Sequence, residues 1–147
     1  MGIEKCVLKQ KSTLIGGGRV KILNIEDDIF KHNDIRKALE FCGVHDVDWC
    51  ENLQDGIEML DSLINEDKNT YDLIISDMHY PLAKGMVADY DAGKKLIAYL
   101  KDRNVNIPVI ICSSLRLKIP EAKACVWYNP SRDLGWDFKE IIQQNLI

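Results

Sequence analysis

The sequence lacks several features that mark particular classes of protein. Its 19 Lys and Arg are outnumbered by 23 Asp and Glu, and the net charge of -4 gives no support for direct nucleic-acid binding. No apolar run is long enough to span a bilayer, and the N-terminus has no signal-peptide core, so we expect a cytoplasmic protein without membrane contact. No internal repeat or low-complexity tract appears, and 147 residues fit a single domain.

Two common kinds of binding motif are also missing. The five cysteines form no Cys-x-x-Cys pair, and the spacing of Cys42, His45 and Cys50 fits no common zinc pattern. The glycines at 16–18 are not followed by the Gly-Lys-Ser/Thr of a phosphate-binding loop. We interpret residues 1–18, which end in these glycines, as an N-terminal extension, and residues 19–147 as the folded domain.

Short apolar runs alternate with helical patterns along that domain. Strands are predicted at 20–25, 45–50, 73–75, 107–112 and 124–128. Helices are predicted after them, with Asn52 capping the second and Gly43 ending the first, while Pro120 allows only a short or broken helix after the fourth strand. Strict alternation predicts an α/β fold with a parallel sheet and helices on both faces.

Polar residues follow these strands where each one ends. Glu26 and Asp27 follow the first strand, Asp77 the third, Ser113 the fourth and Asn129 the fifth. Because the carboxyl ends of parallel strands share one edge of the sheet, we expect these side chains to converge there. Three converging carboxylates repel one another unless a cation lies among them, and oxygen ligands alone suit a hard ion such as Mg2+.

Three segments, in this order, resemble the receiver domain of two-component response regulators. Residues 20–28 (VKILNIEDD) resemble its first strand with an acidic pair, and 74–81 (IISDMHYP) its phosphoacceptor strand. Residues 108–114 (PVIICSS) resemble its fourth strand with a hydroxyl switch. The resemblance implies a flavodoxin-like, doubly wound, five-stranded parallel sheet of order 2-1-3-4-5, with the site between strands one and three.

The resemblance also implies a role for each matching residue. Asp77 would accept a phosphoryl group from a sensor histidine kinase or phosphotransfer protein, and an unknown downstream protein would receive the signal. Asp27 and Asp77 would bind Mg2+, with Glu26 acting through water and the His79 backbone carbonyl completing the set. Ser113 would hydrogen-bond the phosphoryl oxygen. Such a domain is a switch, and we do not expect an enzyme.

Departures from the family pattern leave alternatives open. Asn129 stands where the family usually has a lysine, and Val126 stands at the aromatic switch position. A pseudo-receiver that binds partners without phosphotransfer is therefore the alternative. A phosphatase of the dehalogenase type is a third hypothesis, but it would want a second Asp where this chain has His79.

Further expectations concern the surface. The linker from 113 to 129 is short and the loop after Pro81 is long, so the face that receivers use for output is expected to be remodelled. His32 is expected to be a solvated residue of the first helix, and Trp136 to pack in the core or between helices.

Overall fold

The computed structural model describes residues 14–15, 18–65 and 70–146, and its centre is one parallel sheet. The strands of this sheet are β1 (Lys21–Ile25), β2 (Asp46–Cys50), β3 (Leu73–Ser76), β4 (Val109–Ser113) and β5 (Ala124–Trp127). All neighbouring pairs are parallel, and the order is β2-β1-β3-β4-β5. The predicted fold class and strand order are confirmed.

Four helices connect or follow the strands in the described part of the chain: α1 (Ile29–Phe41), α2 (Leu53–Asn65), α3 (Ala92–Asp102) and α4 (Leu134–Leu146). The side chain of Asp28 caps α1 by accepting from two backbone N–H groups of the first turn. Gly43 ends α1 with φ of 82°, a conformation that costs glycine little. The Asn52 side chain accepts from Asp55 N at 2.8 Å, which confirms the predicted cap of α2.

The core has two halves, one on each face of the sheet. Helices α2 and α3 cover one face, where Leu60 and Leu96 pack against Leu23 and Ile74. Helices α1 and α4 cover the other. The apolar residues of that half are Ile22, Ile35, Leu39, Leu73, Ile75, Ile110, Phe138 and Ile142, among others. Alternate residues of each central strand point to opposite faces, so both faces of the sheet are apolar, as expected for a parallel sheet.

The connections differ from expectation in two places. Residues 114–123, between β4 and β5, contain no helix, so the predicted short or broken helix is wrong. The segment from β3 to α3 contains a two-residue antiparallel pair, Tyr80–Pro81 with Ala88–Asp89.

Trp136 is 52% exposed on α4, contrary to the expected packing role, because Phe138 and Ile142 face the sheet instead.

The predicted N-terminal extension lies mostly outside the described residues. In its described part, Ile15 pairs with Gly18 in antiparallel register, and Leu14 pairs with Arg19, the first residue of the predicted domain. The boundary between extension and domain stays a prediction. Within the described chain, none of the helices is both long enough and apolar enough to cross a membrane.

Candidate functional site

Three carboxylates meet where β1 and β3 end side by side. The register pairs Ile25 with Ser76, so the residues that follow these strands emerge together. One carboxylate oxygen each from Glu26, Asp27 and Asp77 lies within 4.8 Å of the other two. Glu26 is buried, Asp77 is half-buried and Asp27 is exposed, so the cluster opens to solvent on one side.

A lysine from α1 also lies in this cluster. Lys31 Nζ is 2.9 Å from Glu26 Oε1 and 3.2 Å from Asp77 Oδ2, and it donates a 2.7 Å hydrogen bond to the carbonyl of Cys112. The Lys31 side chain is only 6% exposed. Lys31 belongs to none of the sequence motifs from which the other site residues are predicted. The sequence feature that indicates its role is its position in the first turn of a helix that directly follows the acidic end of β1.

Burial and the neighbouring charges change the proton affinities of the cluster. Burial raises the pKa of Glu26 to about 7; Lys31 opposes this rise and Asp77 adds to it. Burial also raises the pKa of Asp27. For Lys31, burial alone would lower the pKa, but the carboxylates of Glu26 and Asp77 outweigh it and the pKa is raised. The lysine is therefore held as an ammonium ion.

The ligand atoms of the cluster are of the kind that a divalent cation prefers. The three carboxylates offer only hard oxygen ligands, which Mg2+ prefers. Glu26 Oε1 is buried and, although it contacts Lys31 Nζ, it has no well-formed hydrogen bond. A buried acceptor without a hydrogen bond is costly, and an added cation would satisfy it.

The carboxylate of Asp77 is held by its own neighbours. Met78 N donates to Asp77 Oδ1 at 2.7 Å, and Asp77 N donates to the Ile25 carbonyl at 3.1 Å. Gly93, at the start of α3, donates its N–H to the Met78 carbonyl at 3.0 Å. A Cβ on Gly93 would lie 2.8 Å from the Asp77 carbonyl oxygen, so only glycine permits this close approach.

The other predicted site residues surround this cluster to different degrees. Ser113 is buried at the end of β4, and its Oγ accepts from Leu115 N at 3.1 Å. His79 is half-buried, with its ring edge-on to Tyr90. Asn129 Oδ1 accepts from the backbone N and the hydroxyl of Ser131, so this amide oxygen is engaged in its own turn.

His32 is buried, contrary to the expectation of a solvated residue. It is 7% exposed, its ring stacks on Trp49 with centroids 4.4 Å apart, and its Nδ1 is 2.7 Å from Asn24 Oδ1. Burial, followed by the charge of Arg36, lowers its pKa. Trp49 in turn donates its indole N–H to the Glu26 carbonyl at 2.7 Å. These side chains brace the end of β1, beside the carboxylates.

Comparisons with known proteins place this arrangement in one fold. No family model matches the sequence, and no curated protein matches it. Solved structures do match. The response regulator TrrA of Thermotoga maritima, in complex with Mg2+ and BeF, matches at 19% identity and a TM-score of 0.65, over 86% of this chain and 99% of that one. The phosphorylated cyanobacterial phytochrome response regulator RcpA matches at 19% identity and a TM-score of 0.66, over 88% and 95% of the chains. A Francisella response regulator receiver domain matches at 23% identity and a TM-score of 0.61, over 84% of this chain and 93% of that one.

At these identities the likeness shows the fold. The chain has the flavodoxin-like fold of response regulator receiver domains, as the sequence resemblance predicted. The acidic cluster lies at the switch point of that fold, between β1 and β3, where open α/β sheets bind ligands.

Proposed function

We propose that this chain is a receiver domain that accepts a phosphoryl group on Asp77 in two-component signal transduction. The observation that carries the proposal is the meeting of Glu26, Asp27 and Asp77 at the end of β1 and β3. The donor would be the phosphohistidine of a sensor histidine kinase or a phosphotransfer protein in the cytoplasm. A downstream protein would read the modified state, and we expect neither enzymatic turnover nor direct nucleic-acid binding.

The chemistry is the transfer of one phosphoryl group between two side chains. An oxygen of the Asp77 carboxylate attacks the phosphorus, the P–N bond of the phosphohistidine breaks, and its electron pair stays on the imidazole nitrogen, which is then protonated. Attack by one anion on another needs charge neutralisation, which Mg2+ supplies when bound. Glu26 and Asp27 would hold that ion together with Asp77 and the His79 carbonyl.

The surrounding groups orient the acceptor. Met78 N fixes one Asp77 oxygen, which limits rotation of the carboxylate before attack. Ser113 Oγ accepts from Leu115 N, which leaves the hydroxyl hydrogen to donate to a phosphoryl oxygen. A change in the Ser113 contact would alter the start of the 114–123 segment, which is the proposed route to a partner.

The test uses acetyl phosphate and Mg2+ with the purified chain, followed by intact-mass measurement. We expect the mass of one added phosphoryl group in the wild type, none in Asp77→Asn, and none when the metal is chelated. Asp102→Asn, which changes an exposed carboxylate at the end of α3, is the matched control and should be modified like the wild type.

A pseudo-receiver is the second candidate, and the specific observation in its favour is Asn129 in place of a lysine. In that case the chain would bind partners through the same fold without accepting a phosphoryl group. Absence of any mass change at saturating Mg2+ would favour this candidate over phosphotransfer.

A further inference from the structure

In the family that the sequence resembles, a lysine usually follows β5 and supplies a cation. This chain has Asn129 at that position. Asn129 is uncharged, and its amide oxygen is engaged with Ser131. An acyl phosphate carries more negative charge than the carboxylate it replaces, so a site without a cation near Asp77 would hold the phosphoryl group poorly. The described residues contain one ammonium that contacts Asp77, and it comes from another element.

That ammonium belongs to Lys31, in the first turn of α1. Its nitrogen is 3.2 Å from Asp77 Oδ2, 2.9 Å from Glu26 Oε1 and 2.7 Å from the Cys112 carbonyl oxygen. The Cys112 carbonyl accepts a hydrogen bond from the ammonium, and the two carboxylate oxygens form ion pairs with it. These contacts fix the charge between the ends of β1, β3 and β4, which is where a phosphoryl group on Asp77 would lie.

The rest of the structure keeps Lys31 in this place. The cap by Asp28 sets where α1 begins, and so directs the third residue of the helix back over the strand ends. The ring of Tyr128, the residue before Asn129, lies 5.4 Å from the ammonium, and the Tyr128 hydroxyl bonds to Asp34 on α1. A buried lysine is costly unless it is paired, and the carboxylates of Glu26 and Asp77 supply that pairing.

We infer that Lys31 replaces the missing lysine of β5 and binds the phosphoryl group through its ammonium. This inference rests on the proposed phosphorylation of Asp77. In the free protein Lys31 pairs with Asp77 and Glu26; after transfer, its N–H groups donate to a non-bridging phosphoryl oxygen. Lys31 thus serves as a phosphate-binding residue, and the same charge also competes with a divalent cation for the carboxylates.

These two effects of one charge can be measured separately. The probes are beryllofluoride, which mimics the phosphoryl group, and Mg2+ alone, each followed by tryptophan fluorescence. In Lys31→Met we expect beryllofluoride affinity at saturating Mg2+ to fall roughly 10- to 100-fold, the range of a hydrogen bond to a charged group. We expect Mg2+ affinity to rise, because a competing positive charge has been removed. A misfolded variant would lose both.

The controls separate charge from size and from helix position. Lys31→Gln, which is polar and uncharged, should behave like Lys31→Met and serves if that variant is unstable. Lys37→Met changes an exposed lysine of the same helix and should match the wild type. Adding Asn129→Lys to Lys31→Met should restore part of the beryllofluoride affinity, since it returns a cation to the β5 end.

The outcomes distinguish this inference from the proposed function. If the wild type binds beryllofluoride and Lys31→Met binds it equally well, the role of Lys31 is refuted while phosphorylation of Asp77 stands. If the wild type binds none at saturating Mg2+, the proposed function fails, and the role of Lys31 fails with it. Loss of beryllofluoride affinity with gain of Mg2+ affinity supports both.

Discussion

The buried acid of the cluster should make the stability of the metal-free protein depend on pH. Glu26 is 1% exposed, and its pKa is raised from the ordinary value of 4.5 to about 7, first by burial and then by the charge of Asp77. Because the folded protein binds this proton more tightly than the unfolded chain does, protonation favours folding. This contribution is fully present below pH 4.5 and is lost as the pH rises through about 7.

The size of the effect follows from the same change. A rise from 4.5 to about 7, at about 1.4 kcal/mol for each tenfold change in proton affinity, corresponds to about 3 kcal/mol. Glu26→Gln has nearly the shape of the protonated acid but cannot ionise. At about pH 4 we therefore expect the two proteins to have similar free energies of unfolding, and at about pH 8 we expect the wild type to be less stable by up to about 3 kcal/mol.

Urea unfolding with a chelator present, repeated across this pH range, measures that difference directly. Asp27 and His32 also have shifted pKa values, and the comparison of wild type with Glu26→Gln largely removes their shared contributions. Lys31 stays protonated across this range because its pKa is raised from 10.5. Glu121→Gln, at an exposed site in the 114–123 segment, should give a curve parallel to the wild type. Parallel curves for wild type and Glu26→Gln would refute the electrostatic account of this cluster.

Two further predictions concern the backbone around the site. Gly93→Ala places a Cβ 2.8 Å from the Asp77 carbonyl oxygen, so we expect a loss of about 1–3 kcal/mol in the free energy of unfolding measured with urea. Gly135→Ala should lose much less, since its Cβ would meet the exposed ring of Phe41, which can turn away; equal losses would contradict this reasoning. Asp28→Ala removes the cap of α1 and should lower stability by about 1 kcal/mol, with Asp28→Asn close to wild type; a thermal unfolding midpoint unchanged by Asp28→Ala would show that the cap is dispensable.

Local patterns in the sequence were sufficient for most of the fold. The run at 73–75 predicts a buried strand because it is short, branched and apolar, and the structure buries all three residues together with Ser76, which ends the strand. Gly43 and Asn52 could be assigned to helix ends because their effects on the backbone are local. The acidic cluster could be anticipated because parallel strands bring their carboxyl ends to one edge.

Contacts between distant segments could not be predicted in the same way. The role of Lys31 is hard to predict because its partners lie on β1, β3 and β4, and its position in the first turn of α1 is a weak signal. The sequence predicts a solvated His32, since nothing in the pattern of α1 marks this residue as buried. Its partners, Asn24 and Trp49, lie on two different strands. Pro120 excludes a regular helix from the 114–123 segment, but the sequence pattern alone cannot tell a broken helix from none.

The segment between β4 and β5 contains no helix, and this affects the surface that this side of the molecule offers to a partner protein. Leu117, Ile119 and Ala122 rest partly buried against the core, while the residues between them face water. A helix would present a regular row of side chains on this side, whereas this segment presents an irregular backbone held by three partly buried residues. A protein that docked here would therefore have to match the shape of that backbone more than a fixed row of side chains.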